Sequence, residues 1–146
     1  MTNATEEDLK PLNLNVFWPE LAALWDAGDF GAAHDWLGER WNVLIQSRPQ
    51  GHDDPDARFL QGLAYAVLAF HFTQHANQDG ARLMVEDTLR VLPEFTPAWA
   101  GMETAPVIAS VKVLQPLLEG LDNEAPCPLQ PFRCEPLKFT ASEMSL

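Results

Sequence analysis

Histidine is the residue type whose placement in this chain could support chemistry. His34 lies in an apolar helical pattern between Phe30 and Trp41, and His71 and His75 lie four residues apart in a later pattern. Four residues make about one helical turn, so the last two imidazoles would share a face, as a helical metal site requires. One hypothesis is therefore a divalent transition metal held by His34, His71 and His75. The alternative is that His34 is a buried, neutral core residue with a satisfied hydrogen bond.

The neighbours of His34 suggest which groups could form a hydrogen bond with its imidazole. Gln61 or His71, in the next helical segment, could supply the hydrogen bond. Asp35 follows His34 but points about 100° away around the helix. Trp36 lies off the main apolar stripe, so we expect its ring to be partly exposed and to mark a partner or dimer surface. The candidate groove residues are His34, Asp35, Trp41, Gln61 and His71.

No motif in the sequence identifies a reaction. The chain lacks the phosphate-binding G-x-x-x-x-G-K-[ST], the dinucleotide-binding G-x-G-x-x-G, the nucleophile elbow G-x-S-x-G and the zinc motif H-E-x-x-H. Cys127 and Cys134 lie in a proline-rich tail without the further ligands that a zinc site needs. We expect reduced thiols, with a small tail-loop disulfide as the alternative. No cofactor is predicted, and a catalytic role is not favoured.

The elements that position these residues are predicted to be helices. Apolar residues recur at helical spacing in five segments, at about 18–27, 29–47, 54–76, 78–92 and 104–118. No sustained strand alternation or hairpin dipeptide is present. The third segment is apolar around most of its circumference, which is typical of a central helix. The predicted fold class is all-α, a single compact bundle of about five helices.

The predicted organisation is a helical domain between two less regular ends. Residues 1–15 are expected to be a flexible segment, 16–120 the bundle, and 121–146 a proline-rich coil tail that is extended and could dock on the bundle. The tail residues suited to docking are Leu129, Phe132, Leu137 and Phe139.

A weak internal repeat accompanies the helical pattern. Two segments resemble the helical hairpins of tetratricopeptide units, but their alanines, Ala33 and Ala81, are 48 residues apart. Tetratricopeptide units repeat every 34 residues, so a regular array is not predicted.

Charge and hydropathy limit the partners. Lys and Arg number 9 against 21 Asp and Glu, which gives a net charge of −12. Nucleic acids and anionic membranes attract basic surfaces, so neither is a predicted partner. Residues 1–10 are polar and acidic, unlike a signal peptide, and the most apolar run, Leu63 to Phe72, is too short to span a bilayer. A cytoplasmic protein is expected.

Two stretches of sequence resemble a known family. Residues 28–41, with Gly28, Phe30, His34 and Trp41 in order, followed by the Gln-Gly-Leu of 61–63, are similar to the bacterial and archaeal helical family called domain of unknown function 309. Its pattern is like G-x-F-[FWY]-E-A-H-E-x-L-E-x-x-W, then Q-G-L, then a Gly-Ala pair. The resemblance implies an all-α bundle.

The resemblance also implies a metal site, in which the histidine and a glutamate one turn later share an ion. Carried onto this chain, the histidine is His34, but Ala32 and Gly38 occupy two carboxylate positions, and Asp35 holds the third. Few oxygen ligands remain, so a divalent ion would be held poorly. Gly38 costs a helix about 1 kcal/mol relative to alanine, which predicts that something packs closely against it.

Together these observations favour a non-catalytic binding or assembly module. Its groove would lie between the second and third helices, and its partner would be a protein or peptide. One alternative is a metal-binding protein or metal-dependent enzyme that uses His34 with His71 and His75. Another is a structural homodimer.

Overall fold

The computed structural model describes residues 18–119 and 136–139. The five α-helices of these ranges are α1 (Trp18–Asp26), α2 (Phe30–Ser47), α3 (Pro55–Gln74), α4 (Gln78–Val91) and α5 (Ala105–Leu118). Single turns of 3₁₀-helix span Gly51–Asp53 and Leu92–Phe95. The predicted all-α bundle of about five helices is confirmed. The predicted segment 1–15, the two cysteines, Leu129 and Phe132 lie outside the described residues.

Local sequence signals set the helix boundaries. The side chains of Asp29, Asp54 and Asn77 each accept a hydrogen bond from the backbone N–H three residues further on. These N-caps satisfy donors that the first turn of a helix leaves free. Pro55 begins α3, where its missing N–H costs nothing. Gly28, at φ +74°, adopts the left-handed conformation that turns the chain from α1 into α2.

Helix α3 is the central element, with α2 on one side and α4 on another. Its fully buried side chains include Phe59, Leu60 and Phe70. A Cβ atom on Gly62 would lie 3.1 Å from Leu92, so the glycine lets the end of α4 and the next turn approach closely. In the parts of the chain that the structure describes, no helix combines the length and apolarity needed to cross a bilayer.

A small antiparallel sheet closes one end of the bundle. Strands β1 (Ala98–Trp99), β2 (Met102–Glu103) and β3 (Lys138–Phe139) pair in that order. The sequence patterns predict no strand, and this prediction is wrong, because two-residue strands are too short to show alternation. Strand β3 belongs to the proline-rich tail, so two of the residues suited to docking, Leu137 and Phe139, lie against the bundle.

Trp18 connects this sheet to the helices. Its Nε1 donates a hydrogen bond to the backbone oxygen of Ala100, 2.8 Å away, in the turn between β1 and β2. Its ring stacks on Phe139 with centroids 6.4 Å apart, and meets the edge of Phe59 at 6.2 Å. The first helix, the central helix and the last strand therefore share one aromatic contact.

Candidate functional site

A cavity of about 180 Å³ lies between α2 and α3. The residues that line it are His34, Leu37, Gly38, Trp41, Leu60, Gln61, Ala64, Tyr65 and Leu68. Most of these side chains are apolar. The groove expected between the second and third helices therefore coincides with a cavity in the structure. Of the predicted groove residues, His34, Trp41 and Gln61 line it, whereas Asp35 and His71 do not.

Gly38 opens the middle of this cavity. A Cβ atom on Gly38 would have no other heavy atom within 4 Å. The expectation that another group packs closely there is therefore wrong. Glycine lowers helix stability by about 1 kcal/mol relative to alanine, and no close contact offsets that loss here. The missing side chain leaves space along the side of α2 that faces α3.

Trp41 forms the end of the cavity nearest the loop between the two helices. Its ring lies 5.4 Å from the ring of His52 in that loop, measured between centroids. Its Nε1 is buried and has no hydrogen-bond partner among the described residues. A buried donor without a partner costs about 1–3 kcal/mol.

His34 lies at the mouth of the cavity rather than in the core. Its side chain is 40% exposed, and its Nδ1 is 3.7 Å from Oδ1 of the exposed Asp35, too far for a hydrogen bond. No hydrogen bond joins it to Gln61 or His71 in the described structure. The prediction that His34 is buried is wrong, because its position on α2 is at the edge of the contact with α3, where the cavity reaches the surface.

His71 and His75 form a pair at the end of α3. Their ring centroids are 4.3 Å apart, and Nδ1 of His75 lies 2.9 Å from the backbone oxygen of His71, to which it can donate. Burial lowers the pKa of His71, and positive charge on His75 and His34 lowers it further. These causes outweigh the opposing effect of Asp29.

The three histidines do not assemble into a metal centre. Within residues 18–119 and 136–139, no group of three or more His, Cys, Asp or Glu side chains is placed to hold an ion. Ala32 and Gly38 also leave α2 without two of the three carboxylates that the family resemblance implies. The residues present therefore do not fit the three-histidine site that the spacing suggested.

The lowered pKa of His71 predicts acid sensitivity. The unfolded chain takes up a proton near pH 6.5, before the folded chain does, so His71 reduces the free energy of unfolding as the pH falls below that value. We expect His71→Gln to lose less stability than the wild type between pH 7 and 5. Urea unfolding across that range measures the difference. Equal acid sensitivity in the two proteins would contradict the prediction.

Trp36 is buried, so the expectation that its ring is partly exposed is wrong. Its side chain packs in the core, with the residue 9% exposed. Its Nε1 donates to Oε1 of Glu20 at 2.9 Å, and the Arg40 guanidinium lies 3.8 Å from the ring centroid. A cation over an indole face is attracted to the ring. Helix α1 and Arg40 therefore cover the surface proposed for a partner.

A buried polar cluster lies outside the cavity and has no counterpart in the sequence predictions. Nη1 of Arg48 is 3.1 Å from Oδ1 of Asp54 and 3.0 Å from Oδ2 of Asp56. Nε1 of Trp99 donates to the other oxygen of Asp56 at 2.9 Å. Burial raises the pKa of Asp56, although both donors oppose the shift. The cluster joins the end of α2, the start of α3 and β1.

One of three comparisons with known proteins finds a match to this chain. A family model described as domain of unknown function (DUF309) matches residues 18–84. No curated protein and no solved structure matches the chain. The matched residues include α1, α2, α3 and the first half of α4, and so both walls of the cavity. Over residues 18–84, the chain is therefore similar to the DUF309 family, in agreement with the resemblance seen in its sequence.

Proposed function

We propose that the chain is a non-catalytic binding module whose α2–α3 cavity receives one large apolar side chain of a peptide or protein partner. The observation that carries this proposal is the cavity of about 180 Å³ beside Gly38. Apolar cavities of about 150 Å³ accommodate benzene, so this space suits a phenylalanine, leucine or methionine side chain. A short peptide could insert one such side chain while its backbone stays outside the cavity.

The wall chemistry supports an apolar anchor. Leu37, Leu60 and Leu68 line the cavity together with Trp41. None of its described lining residues is an Asp, Glu, Lys or Arg. Binding sites for apolar groups combine such walls with a few polar groups that set orientation, a role open to His34 and Gln61. The cavity offers no paired carboxylates and no nucleophile beside a base, so binding fits it better than catalysis.

The charges beside the cavity indicate which residues would lie next to the apolar anchor in the partner. Asp35 and Glu39 each follow a lining residue of α2, and their side chains are 82% and 79% exposed. A lysine or arginine next to the apolar anchor would meet these carboxylates. The net charge of −12 would also attract a basic partner over longer distances. The proposed ligand is therefore a peptide with one bulky apolar residue flanked by basic residues. A cytoplasmic location, expected from the sequence, is part of the same proposal.

Filling the cavity at Gly38 tests this proposal. Random peptides displayed on phage are selected on the full chain, and the enriched peptides are titrated calorimetrically. We expect enrichment of an aromatic or leucine residue beside Lys or Arg, and at least tenfold weaker binding to Gly38→Leu, because the leucine occupies the anchor space. The matched control Gly38→Ala should lose less peptide affinity than Gly38→Leu does, because alanine fills less of the cavity.

Stability measurements separate loss of binding from loss of folding. Gly38→Ala should raise the free energy of unfolding by about 0.5–1 kcal/mol, because alanine favours helix and its Cβ meets open space. Gly38→Leu should also remain folded. Peptides that bind Gly38→Leu as tightly as the wild type, or a selection that enriches no apolar anchor, would refute the proposed function.

A further inference from the structure

Helix α5 presents an apolar face to solvent. Val113 and Leu117 lie one turn apart, and they are 58% and 45% exposed. The inward side of the same helix is also apolar, with Val107, Val111 and Leu114 buried. A helix at the surface of a monomer normally carries polar residues on its outer side, whereas a helix that is apolar all round is normally covered. The outer face of α5 therefore has the composition of an interface.

The charges around this face suggest what covers it. Lys112 is the one charged residue between 105 and 118, in a chain whose net charge is −12. Two such chains repel each other least where acidic residues are few. Glu119 follows the end of the helix and is exposed, as Lys112 is. These residues are seven apart, about two helical turns, so Lys112 and Glu119 lie along the same edge of the face.

We propose that α5 is the interface of a homodimer in which two copies of the helix pack antiparallel, about a two-fold axis that crosses the outer face at the level of position 115 along the helix. Val113 and Leu117 lie on either side of that position, so they would pack against the outer face of the second copy. The same axis would place Lys112 opposite the partner's Glu119, and Glu119 opposite the partner's Lys112. The face thus supplies its own complementary charges.

The expected dimer is reversible rather than obligate. A helix of 14 residues is about 21 Å long, and a single helix pair gives an interface near the small end of the range for protein complexes. We therefore expect a monomer–dimer equilibrium that depends on concentration. This proposal is independent of the α2–α3 cavity and does not involve Trp36.

Sedimentation equilibrium of the full chain, from low micromolar to several hundred micromolar, tests the interface. The wild type should shift from monomer to dimer, and Val113→Asp should remain monomeric. The matched control is Leu83→Asp, because Leu83 is 59% exposed on α4 and lies outside the proposed face. This control should dimerise as the wild type does. Circular dichroism verifies folding, and Leu117→Asp replaces Val113→Asp if that variant unfolds.

A charge exchange tests the antiparallel arrangement. Lys112→Glu should weaken dimerisation at least fivefold, because it places two acids together, and adding Glu119→Lys should restore it. A wild type that stays monomeric throughout, or a dimer lost in Leu83→Asp and kept in Val113→Asp, would overturn the proposal. A double variant as weak as Lys112→Glu alone would overturn the two-fold geometry.

Discussion

Replacing Asp56 with alanine is expected to lower the free energy of unfolding by about 2–4 kcal/mol. The side chain of Asp56 is 4% exposed, and it accepts hydrogen bonds from Arg48 and from Nε1 of Trp99. Removing the carboxylate leaves the indole N–H without this acceptor and takes away one of the carboxylates that pair with the guanidinium. Breaking a buried pair from one side is costly because the remaining partner stays desolvated. Chemical denaturation with urea measures the loss.

Two further variants identify the source of that loss. Asp56→Asn keeps an acceptor for Trp99 but removes the charge that faces Arg48, so we expect a smaller loss than with alanine. The control is Glu94→Ala, which breaks the Arg58–Glu94 ion pair at the surface. Exposed ion pairs contribute little to the free energy of unfolding, so this variant should denature at nearly the same urea concentration as the wild type. An Asp56→Ala protein as stable as the Glu94→Ala protein would show that the buried cluster does not hold the helix ends together.

Truncating Trp18 to alanine is expected to destabilise the chain by about 3–5 kcal/mol, the usual range for a large aromatic in a core. The residue is 7% exposed, and its ring contacts Phe59, Trp36 and Phe139. The substitution leaves a cavity and removes the hydrogen bond to Ala100. It also uncouples α1 from the sheet, so backbone amides of β2 should exchange with solvent faster. Urea denaturation and hydrogen exchange measure these two effects.

A less severe substitution of Trp18 should cause a smaller loss of stability. Trp18→Phe keeps an aromatic ring but loses the hydrogen bond, so it should cost less than alanine. Val43→Ala is a control for loss of an apolar side chain, because Val43 is 50% exposed. That variant should change stability little. If Trp18→Ala left hydrogen exchange in β2 unchanged, the proposed coupling between α1 and the sheet would be wrong.

The helices could be predicted because their signals are local. Asp54 followed by Pro55 marks the start of α3 without reference to any other part of the chain, and Asn77 marks α4 in the same way. The all-α class and the resemblance to the DUF309 family follow from such short-range patterns. The groove between α2 and α3 was also predictable, since consecutive antiparallel helices expose a seam between them.

The sheet and the burial of individual polar residues could not be predicted, because they depend on distant partners. Met102 pairs with Phe139, and neither segment shows a strand pattern by itself. Trp36 lies off the apolar stripe of α2, but Glu20 on α1 supplies its hydrogen bond. Asp56 resembles any acidic residue in a first helical turn until Trp99 comes to lie beside it. His34 follows the apolar stripe of α2 and yet is half-exposed at the cavity, which a stripe pattern does not reveal.

The late position of β3 in the chain has a consequence for biosynthesis. Every helix in the described residues, and both other strands, are translated before Lys138 and Phe139. The nascent bundle therefore displays one side of Trp18 and the free edge of β2 until the third strand arrives. An unpaired strand edge is a template for pairing with other chains. Chains in which β3 has not yet paired with β2 are therefore more prone to aggregate than chains with the complete sheet.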